Sequence, residues 1–256
     1  MRRIKLTIAY DGTNYCGWQI QPNGITIEEV LNKTISRLTG EKIVVIGASR
    51  TDSGVHAMAN VAVFDTDSTI PADRFAIALN QKLPDDIVIR LSEEVPAQWH
   101  PRYQKEIEKT YEYHILHSRV PNPMKRMTHY RVSYPLDIER MREAASYIVG
   151  EHDFASFCNI RTNAQTTTRT VTSLDIIEDG EDITVRISGN GFLYNMVRII
   201  VGTLLRVGRG FYTPEQVRNI IEAKNRMAAG VTVPGQGLML MEIKYNSVQE
   251  SQRDFY

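Results

Sequence analysis

Apolar residues alternate along short segments and recur at helical spacing between them, and this interleaving runs along nearly all of the 256 residues. It restricts the chain to a sheet covered by helices. Ile4, Leu6, Ile8 and Tyr10 repeat with period two, which predicts a strand with one buried face. Thr26, with Glu29 three positions on, has the pattern of a capping box. The helix it opens carries Val30, Leu31, Thr34, Ile35 and Leu38 on one face, and Gly40 ends it. Strands are expected over 43–46 and 55–64 around a polar turn at 49–54. A short helix follows over 71–79, then a strand over 87–91.

The second half repeats this grammar. Tyr111, Tyr113 and Ile115 alternate in a strand over 110–116. Asp137 caps a helix reaching about 149, and strands over 171–177 and 183–188 flank a turn. A helix over 192–207 is apolar nearly all round and therefore expected to be buried. Thr213, Pro214 and Gln216 start another, reaching about 226, and a strand over 238–244 closes the series. The expected class is α+β: two consecutive α/β lobes with largely antiparallel sheets, over 1–104 and 105–246, then a polar tail over 247–256. The polar stretch 159–170, rich in Thr and Arg and without period, reads as a long loop.

Lys and Arg total 30, as do Asp and Glu, so the net charge is zero. That excludes a uniformly basic coat but permits a basic cleft balanced elsewhere. Residues 102–131 hold 7 basic and 3 acidic side chains. No acid occurs over 154–174, which contains Arg161 and Arg169, or over 183–214, which contains Arg186, Arg198, Arg206 and Arg209. Charge scattered over several faces is the plain alternative. No apolar run approaches the roughly 20 residues of a membrane span. The first residues lack the apolar core of a signal peptide, so a cytoplasmic protein is expected. The two cysteines, Cys16 and Cys158, have no metal-ligand spacing, and neither do the six histidines. No metal site is expected.

Two clusters have the residue types of a reactive site. Arg50, Thr51, Asp52 and His56 fall within seven residues between two apolar segments. Asp52-Ser53-Gly54 suits a tight turn, and a turn with no other role is the plain reading. The alternative is a carboxylate kept ionised by guanidinium groups, a candidate nucleophile or base. The second cluster runs from Ser188 to Arg198. Its spacing is not that of a dinucleotide-binding glycine loop, because Tyr194 occupies the last glycine position. Arg198, inside an apolar helix, must find an anion or reach water. A structural ion pair, a snorkelling side chain, a catalytic carboxylate and a phosphate all satisfy that need. Tyr111 is either core or a platform on which a base stacks.

Arg50-Thr51-Asp52-Ser53-Gly54-Val55-His56-Ala57 resembles the R-T-D-[AS]-G-V-H-A signature of the tRNA pseudouridine synthase A family. The likeness continues at Ala9-Tyr10-Asp11-Gly12 through Gly17-Trp18-Gln19, and at Lys109-Thr110-Tyr111-Glu112-Tyr113. It recurs at Gly150-Glu151-His152-Asp153-Phe154, at Gly191-Phe192 through Arg198 to Gly202, and at Gly237-Leu238-Met239-Leu240. Ser49 stands where a Gly often does, and Ser53 where Ala is usual. The resemblance implies isomerisation of uridine to pseudouridine at positions 38, 39 and 40 of the tRNA anticodon stem-loop, without a cofactor. It also implies a homodimer with an active cleft between two α/β lobes. By motif, Asp52 is the catalytic carboxylate, Tyr111 packs against the target base, and Arg198 is the basic partner of Asp52.

The chemistry agrees. The N1–C1′ bond breaks, the uracil turns, and the ring rejoins through C5. One carboxylate suffices, attacking C1′, attacking C6 of the uracil, or acting as a base toward the sugar. A base paired in a stem must first leave the stack. Tyr111 offers a face to receive it, Arg50 or Arg198 a phosphate contact, and Arg161, Arg169, Arg206 and Arg209 are candidate RNA contacts. A non-catalytic RNA-binding protein would give no reason for Asp52 and lacks the usual aromatic RNA-binding signature. A glycosidase or nucleosidase would require a second acid at matching distance.

Overall fold

The last strand among the described residues stands in the middle of the sheet and joins its two halves. The computed structural model describes residues 1–159 and 165–245. Among them are ten strands: β1 (Arg2–Tyr10), β2 (Ile46–Gly47), β3 (His56–Thr66), β4 (Ile87–Val95), β5 (Ile107–His117), β6 (Tyr130–Val132), β7 (Gly150–Asp153), β8 (Thr168–Asp179), β9 (Asp182–Gly189) and β10 (Leu238–Tyr245). The helices are α1 (Ile27–Thr39), α2 (Phe75–Asn80), α3 (Ile138–Ser146), α4 (Met196–Gly208) and α5 (Gln216–Glu222), with short 3₁₀ turns between elements. The main path of the sheet is β4-β1-β3-β10-β5-β9-β8-β7, with β2 on β3 and β6 on β5. Neighbours pair antiparallel except β3 with β10 and β5 with β6, which run parallel. The α+β class and the largely antiparallel pairing are as expected. The sheets of the two halves are continuous through β10.

Two apolar cores lie against this sheet. One gathers β1, β3 and β4 with α1 and α2, around Leu6, Leu31, Phe64 and Phe75. The other gathers β5, β8 and β9 with α3, α4 and α5, around Tyr113, Val185, Ile200 and Val217. β10 supplies Leu240 to the first and Leu238 to the second, and Tyr111 packs against both. The seam between the cores therefore runs beside β10.

Local sequence explains most element boundaries. The Thr26 side chain accepts the Glu29 N–H at the start of α1, and Gly40 closes the helix at φ 77°. Asp137 accepts the Arg140 N–H to cap α3. Of the expected strand over 43–46 only Ile46 enters a ladder, in β2, and residues 43–45 are instead a tether to α1. The Ile43 N–H is taken by Ser36 Oγ at 3.0 Å and the Val45 N–H by Asn32 Oδ1 at 2.8 Å, so neither is free for a ladder. α4 begins at Met196 rather than 192, because Asn195 is left-handed at φ 62° and breaks the helical path before it. α5 stops at Glu222, short of the expected 226. β6 and β7 carry too few alternating residues to have been read as strands.

The segment 11–19 presses its backbone onto the turn that carries Asp52. A Cβ on Gly12 would lie 2.0 Å from the Val55 carbonyl oxygen, so only glycine allows this approach. Gly12→Ala is expected to force the two loops apart and cost about 1–3 kcal/mol of stability. Thermal unfolding checks this: an unchanged Tm would show that the contact is not tight.

Candidate active site

The polar turn is built from backbone upward. Val55 N–H donates to the Asp52 carbonyl at 3.1 Å, closing a β-turn with Gly54 at φ 74°, the position that favours glycine. Trp18 N–H binds the Thr51 carbonyl at 3.0 Å, and Ser53 Oγ donates to the Tyr15 carbonyl at 3.2 Å. From β3, buried Asn60 reaches back. Its Nδ2 donates to the Ser49 carbonyl at 3.1 Å and its Oδ1 accepts the Ser49 N–H at 3.3 Å. Tyr10 from β1 shares a 2.7 Å hydrogen bond with Thr51 Oγ1. Both ends of the turn are thus anchored, and the Asp52 side chain is directed into a cleft along the seam.

Arg198 meets Asp52 there from the first turn of α4. Its Nη1 donates to Asp52 Oδ2 at 3.0 Å, joining residues 146 positions apart. The contact is a single N–H···O bond, not the parallel fork open to an arginine. Nη1 also donates to Asn195 Oδ1 at 2.8 Å, and Nε to the Val233 carbonyl at 2.8 Å. The guanidinium is fixed by three groups, of which the carboxylate is one. The side chains of Arg198 and Asp52 are only 17% and 20% exposed, enough for a substrate to reach the carboxylate while most water is excluded. Burial pushes the Asp52 carboxyl above the usual carboxylate range, and the Arg198 charge and hydrogen bond hold it back.

The cleft measures about 780 Å³. Tyr111 and Phe192 form part of its wall, ring centroids 5.3 Å apart and edge to face. The Tyr111 hydroxyl, 3.5 Å from Ser49 Oγ, is pushed up to about 12 by burial and by the Asp52 charge, so it is neutral. Tyr113, two residues on, is core: it is fully buried and donates to the Pro234 carbonyl at 2.8 Å. Arg50 is exposed at the cleft and Arg169 lines it from β8. Arg206 is elsewhere, at the far end of α4, packed over Phe211 and Tyr212. Arg209 lies over Tyr134. Arg161 lies outside the described residues.

Two cleft residues were not singled out from the sequence, Arg102 and Lys109. Lys109 had a signal: it precedes Tyr111 by two on β5 and so shares its face. Arg102 follows no periodic pattern. Among the described residues lining the cleft, Asp52 is the sole acid, beside Arg50, Arg102, Lys109 and Arg169. A two-carboxylate glycosidase is thereby disfavoured. The described residues contain no group of three His, Cys, Asp or Glu placed to hold a metal ion.

The model of the tRNA pseudouridine synthase family matches residues 6–104 and 144–246. The chain belongs to the tRNA pseudouridine synthase family. It is 49% identical over 245 residues to tRNA pseudouridine synthase A of Acetivibrio thermocellus, covering 96% of this chain and all of that one. Identity is likewise 49% to tRNA pseudouridine synthase A 2 of Clostridium perfringens and 45% to the Brevibacillus brevis enzyme, with 96% of this chain and 100% of each relative covered. The family match takes in Asp52 and Arg198, the two ends of the ion pair across the seam.

Arg198→Met leaves the Asp52 carboxyl desolvated without its cation, so its folded-state pKa rises further above the unfolded value. The folded variant then binds a proton that the unfolded chain releases, and stability falls as pH rises through that window. The Tm deficit of Arg198→Met against the native protein should be largest near neutral pH and shrink on acidification. A deficit independent of pH would show that Arg198 contributes packing alone.

Proposed function

We propose that this member of the family converts uridine to pseudouridine in the tRNA anticodon stem-loop, at positions 38, 39 and 40, with Asp52 as its catalytic carboxylate. The observation that carries the proposal is a largely buried acid, clamped by Arg198, in a cleft whose described lining includes Arg50, Arg102, Lys109, Arg169, Tyr111 and Phe192 and no second acid. The reaction is an isomerisation. The N1–C1′ bond breaks, a C5–C1′ bond forms, C5 loses a proton and N1 gains one, so no electron acceptor is consumed. One ionised carboxylate serves each of three routes: attack on C1′, attack on C6 of the uracil, or proton abstraction from the sugar. The Arg198 guanidinium keeps Asp52 in its ionised form and holds Oδ2, leaving Oδ1 for the substrate.

A paired uridine reaches the carboxylate only after leaving the stack. Tyr111, neutral and beside Phe192, offers a flat apolar face to the uracil. Arg50, exposed at the cleft, and Arg169 are placed to meet the RNA backbone. Arg206 sits about 12 Å farther along α4 from Arg198, from eight residues at the helical rise, and serves as an outlying contact for so long a substrate. The division into lobes at 104/105, the homodimer and the cytoplasmic location belong to the same reading. No helix among the described residues is long and apolar enough to cross a membrane.

Incubation with unmodified tRNA followed by pseudouridine mapping is the test. The native protein should modify the anticodon arm, and Asp52→Ala should abolish turnover while tRNA still binds. Modification by Asp52→Ala preparations free of host enzyme would overturn the role of Asp52. Binding without any modification would favour the non-catalytic RNA-binding reading.

The ring of Tyr111 matters more than its hydroxyl if it carries the base. Stacking on an aromatic face is worth roughly 1–3 kcal/mol per base, about 5- to 150-fold. Tyr111→Phe should keep most of kcat/KM and Tyr111→Ala should lose about that factor. Equal losses in both variants would assign the function to the hydroxyl, and equal full activity would make Tyr111 core.

A further inference from the structure

Arg102 and Lys109 are two cations that no carboxylate contacts within ion-pair distance among the described residues, although Glu28 lies near enough to favour the Arg102 charge. Neither makes an ion pair among the described residues, and both line the cleft. Both are held by successive residues of one segment. Arg102 Nε donates to the Gly47 carbonyl at 2.7 Å. Lys109 Nζ donates to the Ala48 carbonyl at 3.0 Å and to Ser49 Oγ at 2.8 Å. These acceptors are neutral. They fix where the two cations stand and leave each with further N–H groups.

The segment that holds them runs directly into Arg50, Thr51 and Asp52. Ser49 is itself 4% exposed and tied on its backbone to Asn60, so the anchor is rigid. Two fixed cations side by side repel each other, and partial burial weakens the water that would relieve them. The charges show the strain in the expected direction. Burial, with Arg102 and Arg169 nearby, pulls Lys109 down to about 8. Burial and neighbouring Arg50 also lower Arg102, more than the nearby Glu28 raises it. The one carboxylate in the cleft does not relieve them, because Asp52 is bonded to Arg198.

We propose that Arg102 and Lys109 together form a binding site for a phosphodiester group of the substrate RNA, next to the nucleotide that Asp52 attacks. The inference rests on the reading of the cleft as the place where an RNA uridine is isomerised. An arginine presents a planar fork and a lysine a compact point charge, and a tetrahedral anion with two free oxygens accepts from both. Because the anchor is the Gly47 and Ala48 carbonyls and the Ser49 hydroxyl, such a phosphate is registered against the Asp52 turn itself. The site thereby sets how far the ribose enters the cleft.

Affinity for unmodified tRNA, measured against salt at pH 7, tests the site. A protein that loses one phosphate contact loses about 0.7–0.9 from the slope of log affinity against log salt. The double variant R102Q/K109Q should show that reduction, with a Tm no lower than that of the native protein by more than a few degrees. Lys109→Arg should keep the native slope. A native slope in a folded R102Q/K109Q variant would overturn the proposal, and a loss confined to kcat would mark the pair as positioning residues for the turn. A second measurement needs no variant. Anticodon stem-loops carrying one neutral methylphosphonate linkage at or beside the target uridine should bind the native protein several-fold more weakly at one linkage. R102Q/K109Q should not discriminate at that linkage. If no neutral linkage weakens binding, the phosphate site is absent. Failure of the native protein to form pseudouridine in the same RNA would instead remove the underlying reading, and that result is scored separately.

Discussion

A carboxylate that gives up most of its water has to be offset by a cation or take up a proton, and Asp52 meets this requirement through Arg198. The two sit on different halves of the chain, and their contact at 3.0 Å is possible only where the halves touch. Much of the architecture serves that meeting. β10 returns from the end of the chain to lie parallel to β3 and antiparallel to β5. This places the turn before β3 and the aromatic face of β5 on either side of one strand. α4 then starts beside them, with its left-handed Asn195 and the Val233 carbonyl fixing the arginine before the carboxylate takes its share.

The geometry also sets what the carboxylate is able to do. It is too buried to be an ordinary surface acid, yet not so enclosed that a substrate is shut out. Arg198 occupies one oxygen through a single hydrogen bond. Around it the cleft has cations and rings and, among its described lining, no other acid. Under the proposed function, such a site attracts a polyanion, receives a flat base and offers it one reactive oxygen. Attraction is local: the whole chain carries zero net charge. The acids lie elsewhere, many in ion pairs such as those of Arg3 with Asp65 and Arg186 with Glu112.

The fold class was legible because burial writes its period into the sequence. β1, α1, β5, β8 and β9 all carry the spacing that their environments demand. What was not legible depends on partners far away in the chain. The segment 43–46 has the apolar content of a strand, but the N–H groups of Ile43 and Val45 are claimed by Ser36 and Asn32 of α1, and only Ile46 joins β2. The apolar run before α4 continues a helical period, but Asn195 turns left-handed to feed Arg198. That the two halves of the chain share one sheet follows from the position of β10, which no local pattern encodes. In the site, Asp52, Tyr111 and Arg198 were found through motif likeness, and Arg198 also through the oddity of a cation among apolar residues. Arg102 was missed because its environment is created by the Gly47 carbonyl, 55 positions away. Arg206, expected as an RNA contact from a stretch without acids, lies over Phe211 and Tyr212 outside the cleft, a position no local pattern encodes.

The titration of the Asp52 carboxyl, followed by carbon NMR in the native protein and in Arg198→Met, measures the central interaction directly. The account predicts a native pKa above that of an ordinary aspartate, and a higher value still once the guanidinium is gone. A native carboxyl that titrates as an exposed aspartate does, or one whose pKa is unmoved by the loss of Arg198, would contradict it.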